Sequence, residues 1–275
     1  MEADKRWIVQ VLRHLQYESD LAIEGKERNT RDVEVPLDVI NVIRSSYPGY
    51  ENVVFFDLET TGLRPTEDMI TQISAVSVLL PTANLRTFDT YVKPANRIII
   101  PDQIREMTGI SDNLLETVGL SEEKALRLLG RWILGDSIVF AGHNVQFDLC
   151  FLFDALKRHP ETCKEVLNIV EKADYFDTLT VYKDRRPSPH NLGAALTEYG
   201  VSFQSRHHAL EDAGGAFALA YFMACEKKDL RSYINKIGIN PKYGLVGYEI
   251  ERISYYSQDG ILSEENKSHG KLKSR

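Results

Sequence analysis

The sequence predicts an α/β domain, a mixed five-stranded sheet flanked by helices, lying between two accessory segments. Two observations lead there. Strand-like runs at residues 52–57, 70–80 and 86–93 follow one another with short connections, as an antiparallel meander does. Further runs at 137–142 and 173–177 then alternate with helix-forming stretches, which calls for parallel strands covered by helices. The composition agrees: 275 residues, 43% hydrophobic and 27% charged, are ordinary for a globular chain with a sizeable core.

In chain order, residues 1–50 read as a helical N-terminal extension. Ile8, Val11, Leu12 and Leu15 recur at i, i+3, i+4, i+7 and form one apolar face. The charged stretch ESDLAIEGKERNTRDVEV follows as a loop. Pro36 opens a second short helix through Val39, Ile40 and Ile43, since proline suits a first turn. SSYPGYEN closes the extension with Pro-Gly turn chemistry. Residues 51–228 make the sheet domain, with helices expected at 121–135, 145–158, 190–199 and 209–228. Residues 229–275 form a C-terminal extension. Its apolar-aromatic stretch YGLVGYEIERISYYS suggests a short hairpin, and the polar SEENKSHGKLKSR suggests a disordered tail.

Several classes are disfavoured. No apolar run approaches the ~18–20 residues of a membrane helix, and MEADKRWIVQVLRHLQYESD lacks a secretory apolar region. Cys150, Cys163 and Cys225 are widely spaced and odd in number, which fits neither a disulfide framework nor a zinc site and suits the cytoplasm. The net charge of −7 weighs against broad, non-specific duplex binding, yet leaves room for a strand-end pocket whose positive charge comes from metal ions.

The chemistry concentrates in acids at awkward places. In VVFFDLETTGL, Asp57 and Glu59 interrupt an apolar strand and, two residues apart, share one face. Close carboxylates repel and raise one another's pKa; a divalent cation such as Mg²⁺ or Mn²⁺ removes the conflict. A solvated strand end would also explain a lone D-x-E pair. Asp148 sits among Phe147, Leu149, Phe151 and Leu152 in the first turns of a helix, where a side-chain cap by Asn144 and an outward Asp148 is the simpler reading. In RHHALEDAGG, Asp212 opens a long helix rich in alanine, with His207 five residues upstream and His208 between them. Taken together, four acids and a histidine suit in-line displacement at phosphorus, where paired metal ions hold the attacking and leaving oxygens and a near-neutral base takes a proton from water.

These segments resemble, in order and spacing, the motifs of the DEDDh (DnaQ-like) 3′→5′ exonucleases: FDLETTGL, HNVQFD and HHALEDA, with REMTGIS, FDTL and HNLGAALTEYGV between them. The resemblance spans about residues 51–226 and implies an RNase H-like sheet and hydrolysis that releases nucleoside 5′-monophosphates. It also implies two divalent ions, Mg²⁺ or Mn²⁺, bridged by Asp57 and completed by Glu59, Asp212 and Asp148. His207 matches the family's general base and His208 its variable position. Thr60, Thr61, Gly62 and Leu63 match the stretch along the terminal nucleotide, with Leu63 against the base. His143, Asn144 and Phe147 match pocket-lining positions, a purely structural role for His143 being equally open. The motif forms most resemble the epsilon proofreading subunit of bacterial replicative polymerase, which implies a single-stranded DNA 3′ end as substrate. RNase T and oligoribonuclease share the chemistry, so an RNA end stays open. The two extensions raise a third reading, a module that docks to a polymerase.

Overall fold

The computed structural model describes residues 2–23, 32–95, 99–202, 207–240, 242 and 244–258. In chain order the elements are α1 (Glu2–Ile23), β1 (Val33–Glu34), α2 (Leu37–Ser46), β2 (Asn52–Thr60), β3 (Ile70–Leu79), β4 (Asn84–Lys93), α3 (Asp102–Thr108) and α4 (Asp112–Val118). They continue with β5 (Leu120–Ser121), α5 (Glu122–Trp132), β6 (Ile138–Gly142), α6 (Val145–Arg158), α7 (Lys164–Lys172), β7 (Asp174–Asp177) and α8 (Thr178–Arg185). After them come α9 (Leu192–Glu198), α10 (Ala209–Glu226), a 3-10 turn at Leu230–Tyr233, β8 (Lys236–Ile239) and β9 (Ser254–Ser257).

The five expected strands form the body of one sheet, ordered β4-β3-β2-β6-β7. β2, β3 and β4 pair antiparallel, while β2–β6 and β6–β7 pair parallel. The two-residue strands β1 and β5 add to it by pairing with β4. β2 reads VVFF because it is central: its side chains alternate between two cores. Val53 and Phe55 face the layer of α1, α2, α8, α9 and α10, whereas Val54, Phe56 and Leu58 face α5, α6 and α7.

The middle of the first layer is α10, whose 209–224 stretch is apolar nearly all round because neighbours cover it on every side. On its outer side lies the predicted apolar face of α1: Ile8, Val11, Leu12 and Leu15 are all buried in the same core as Phe217 and Phe55. The helices meet closely at Gly214, where a Cβ would lie 2.3 Å from Leu15 Cδ1. α2 begins after Pro36, as read, and buries Val39, Ile40 and Ile43. The charged loop expected from residue 18 does not start there. Residues 18–23 continue α1, in which Glu18 and Ser19 are buried, and 24–31 lie outside the described residues.

The C-terminal hairpin does not form. β9 pairs parallel with β8 instead, so the stretch between them is a crossover loop laid along α6. Gln146 Nε2 fixes that loop by donating to the Val246 and Tyr248 carbonyls at 3.2 and 2.7 Å. Gly247, at φ +72, sits where a Cβ would be 2.6 Å from Cys150 Sγ. The polar tail lies outside the described residues.

Candidate active site

β2 outruns its parallel neighbour. β6 pairs with it only as far as Phe55↔Ala141, then turns away through His143 and Asn144 into α6. The next residues of β2, 56–60, keep β3 on one side and open a crevice on the other, at the carboxyl ends of the parallel strands. The backbone N–H of Leu58 is left without a ladder partner, and Asp148 Oδ1 accepts it at 3.0 Å. A buried acid on the inner side of α6 thereby ties the helix to the strand. The outward Asp148 of the simpler reading does not occur, since this side chain is buried. A register shift between Glu59 and Thr60 then bends the strand end, as bulges beside active sites do.

Asp57, Glu59 and Asp212 converge here. One oxygen from each lies within 4.8 Å of the others, the only such group of metal-ligating side chains among the described residues. Asp212 reaches the sheet because it lies in the first turn of α10, above the end of β2. Asp148 bears on the same space: its charge acts on Asp57 and Glu59. Burial first, then the neighbouring carboxylates, hold Asp57 and Glu59 well above the usual carboxylate range. For Asp148 burial again dominates, opposed by the Leu58 hydrogen bond and reinforced by the charges of Asp177 and Asp212. A fold that gathers repelling acids in a half-dry crevice fits divalent cations with oxygen ligands.

Carboxyls with raised pKa bind more protons in the folded than in the unfolded chain, so stability falls as pH rises through that interval. In excess chelator, the protein's thermal stability is expected to fall as pH rises above the ordinary carboxylate range, since these carboxyls are held above it. That loss should shrink in Glu59→Gln. Added Mn²⁺ should raise Tm more at higher pH; a shift that does not change with pH would overturn the account.

The loop after β2 is held by an acid that sequence reasoning missed. Asp68 Oδ2 accepts the Arg64 N–H at 2.9 Å, and Met69 N donates to Thr61 Oγ1 at 3.0 Å. Thr60 Oγ1 donates to the Gly62 carbonyl at 2.6 Å. A Cβ on Gly62 would lie 2.5 Å from Asp68 Oδ2, so a side chain there would displace the carboxylate that holds the Arg64 N–H. Leu63 stands out from the loop at 75% exposure.

On the α6 side, Asn144 is exposed and left-handed at φ 74, and its side chain makes no capping bond. The cap comes from Asp177, whose Oδ1 accepts the backbone N–H groups of Asn144 and Val145 at 2.8 and 3.3 Å. The same buried carboxylate caps α8 through Leu179 N and Thr180 N. Asp177 is the acid of FDTL, a landmark to which the sequence assigned no task. Phe147 is half-buried and tilted against Phe151, 4.9 Å between centroids. His143 belongs to the scaffold: Nδ1 lies 3.0 Å from Thr178 Oγ1 and Nε2 2.9 Å from the His190 carbonyl. Burial holds its pKa below the ordinary histidine value. Both ring nitrogens of His143 are thus engaged inside the protein.

His207 is exposed and left-handed at φ 51, with residues 203–206 before it outside the described residues. His208 is buried at 2% exposure as the residue preceding α10.

Over residues 54–219 the sequence matches the family described as RNase_T, Exonuclease. The chain belongs to this exonuclease family. It is 29% identical over 222 residues to the DNA polymerase III PolC-type protein of Clostridium perfringens, covering 80% of this chain and 14% of that one. To the PolC-type protein of Thermotoga petrophila it is 33% identical over 181 residues, 64% of this chain and 12% of that one. The exonuclease chain thus spans a small part of the length of these relatives. Among solved structures, E. coli ExoI bound to single-stranded DNA superposes with a TM-score of 0.57 at 20% identity, covering 67% of this chain and 42% of that one. Cell-death related nuclease 4 superposes at 0.52 with 15% identity, covering 64% of each. These likenesses establish the RNase H-like exonuclease fold.

Proposed function

We propose that the protein hydrolyses the 3′-terminal phosphodiester of single-stranded DNA and releases nucleoside 5′-monophosphates. The observation that carries this is the convergence of Asp57, Glu59 and Asp212 within 4.8 Å, with Asp148 bearing on them, at the end of one strand of an exonuclease fold. Asp57, Glu59, Asp148 and Asp212 would hold two divalent ions, Mg²⁺ or Mn²⁺, Asp57 being shared. Bound there, the ions supply positive charge to the attacking and leaving oxygens.

The remaining work falls to the chain. Asp148, tied to the Leu58 N–H, keeps α6 and β2 at a fixed separation. The braced Thr60–Leu63 loop seats the terminal nucleotide, with Leu63 against its base and Phe147 and Asn144 across from it. His207 takes the proton of the attacking water. Its exposure favours it over His208, whose ring is buried against the sheet. The PolC-type and ExoI likenesses favour DNA. In α1 and α2 the apolar faces are already covered by α10 and its neighbours, which supports a structural task for these helices over docking to a polymerase. No helix among the described residues is long and apolar enough to cross a membrane.

The test is release of mononucleotides from matched single-stranded DNA and RNA oligonucleotides with Mg²⁺ or Mn²⁺. Release from DNA that stops in excess chelator is expected; faster release from RNA would move the substrate assignment, and no release from either would end the reading. His207→Ala is expected to lower kcat by about 10²–10⁴-fold, the usual worth of a general base. Mn²⁺ should still raise the Tm of that variant, and failure to do so would place His207 among the ligands.

A further inference from the structure

The face of the sheet that carries the acids also carries a second polar cluster. Antiparallel register sets Ser74 opposite Asp57 and Asp89 opposite Ser74; one step along, Gln72 is opposite Glu59 and Tyr91 opposite Gln72. Two polar rows therefore run from the acids toward β4 under the start of α10, where a core face would otherwise be apolar. Buried polar groups must satisfy one another. Ser74 Oγ and Gln72 Nε2 both donate to Asp89 Oδ1, at 2.6 and 2.7 Å.

The second hydrogen of the Gln72 amide faces His208 Nε2 at 3.2 Å, and the Tyr91 hydroxyl lies 3.4 Å from the same nitrogen. An amide nitrogen only donates, and the reversed amide would set its oxygen against the Asp89 carboxylate. The network therefore assigns His208 Nε2 as an acceptor and puts the ring proton on Nδ1. The ring is further fixed edge-on to Tyr91, 6.4 Å between centroids.

We propose that His208 is a positioning residue: its bond to Gln72 pins the backbone at the start of α10 to the row that holds Glu59, and so fixes where His207 stands. This inference rests on the exonuclease reading above. The two histidines are adjacent, one buried against the sheet and one exposed. His207 takes a left-handed φ of 51, which a non-glycine residue adopts only where its surroundings hold it. The anchor on one side of that residue is α10, and His208, which joins the two, lies 3.2 Å from the amide of Gln72 on the strand beside Glu59. A base displaced by about 1 Å loses on the order of 10²-fold in rate without losing its chemistry.

The experiment compares His208→Leu, His208→Gln and Gln72→Met with wild type on a 3′-labelled single-stranded DNA, reading kcat, KM and the Mn²⁺-dependent rise in Tm. In His208→Leu we expect kcat to fall by about 10²-fold, with KM changed less than about threefold and the Mn²⁺ response kept. His208→Gln keeps a carbonyl acceptor for the Gln72 amide and should recover most of the loss. A folded His208→Leu with the kcat of wild type overturns the proposal, as does His208→Gln doing no better than His208→Leu. If His208→Leu does not fold, Gln72→Met decides: a lowered kcat supports the anchor and an unchanged one overturns it. Wild type inactive on every strand would instead refute the exonuclease reading itself.

Discussion

Asp57→Asn is expected to abolish most of the exonuclease activity while making the metal-free protein more stable. The side chain keeps its size, so nothing in the packing of β2 is disturbed. Its charge disappears, however, from a crevice in which burial and the charges of Asp148, Asp212 and Glu59 already hold the carboxyl well above its usual range. Removing one of several repelling acids should raise stability in chelator by about 1 kcal/mol, a common gain for relief of an unfavourable site. For a chain of this size that is about 2–4 °C in Tm. The same change removes the ligand proposed to be shared by both ions. Metal stabilisation of developing charge is worth several kcal/mol, so kcat should fall by about 10³-fold or more. Mononucleotide release and Tm with and without chelator, measured on one preparation, check both halves. A variant that loses activity and stability together would mean that Asp57 is structural. A variant that keeps activity would remove the two-ion reading altogether.

This opposition between stability and activity explains why the site could be read from the sequence. Asp57 and Glu59 interrupt the continuous apolar run of a buried strand, and a fold under no functional demand would not keep them there. The long elements were legible for the related reason that their periods are long enough to see. β2, α6 and α10 each bury most of their length and carry an uninterrupted pattern. By contrast α3, α4, α7 and α8 have seven to nine residues, about two turns, too few to establish a period. α4 and α8 are held by caps: Ser111 accepts from Leu114 N, and Asp177 accepts from Thr180 N. What the sequence hid in the site is likewise a matter of partners. Asp68, Asp177 and Gln72 are unremarkable residue types in a turn, a strand end and a strand, and only the fold shows what they hold. Asp177 acts on Asn144, 33 residues away. The parallel β8–β9 pair escaped notice because nothing in a four-residue strand announces the direction of its partner.

Gly214→Ala should destabilise the protein, although alanine in the middle of a helix ordinarily gains roughly 0.5–1 kcal/mol over glycine. The reason is the crossing of α1 over α10: the new methyl would lie 2.3 Å from Leu15 Cδ1, well inside contact distance. Leu15 is fully buried and cannot swing into solvent. Either α1 lifts from α10 or Leu15 leaves its rotamer, and overpacking of this kind costs about 1–3 kcal/mol. Leu15→Ala alone should cost about 2–5 kcal/mol through the cavity it leaves. The double variant places the added methyl where the leucine was, so the two effects should not add. Urea unfolding of the four proteins is expected to give a favourable coupling of about 1–3 kcal/mol. Strict additivity would show that α1 does not rest on Gly214, and would return the N-terminal helices to the role of a separable docking segment. A clear coupling makes them part of what holds α10, and with it Asp212 and the two histidines, against the end of β2.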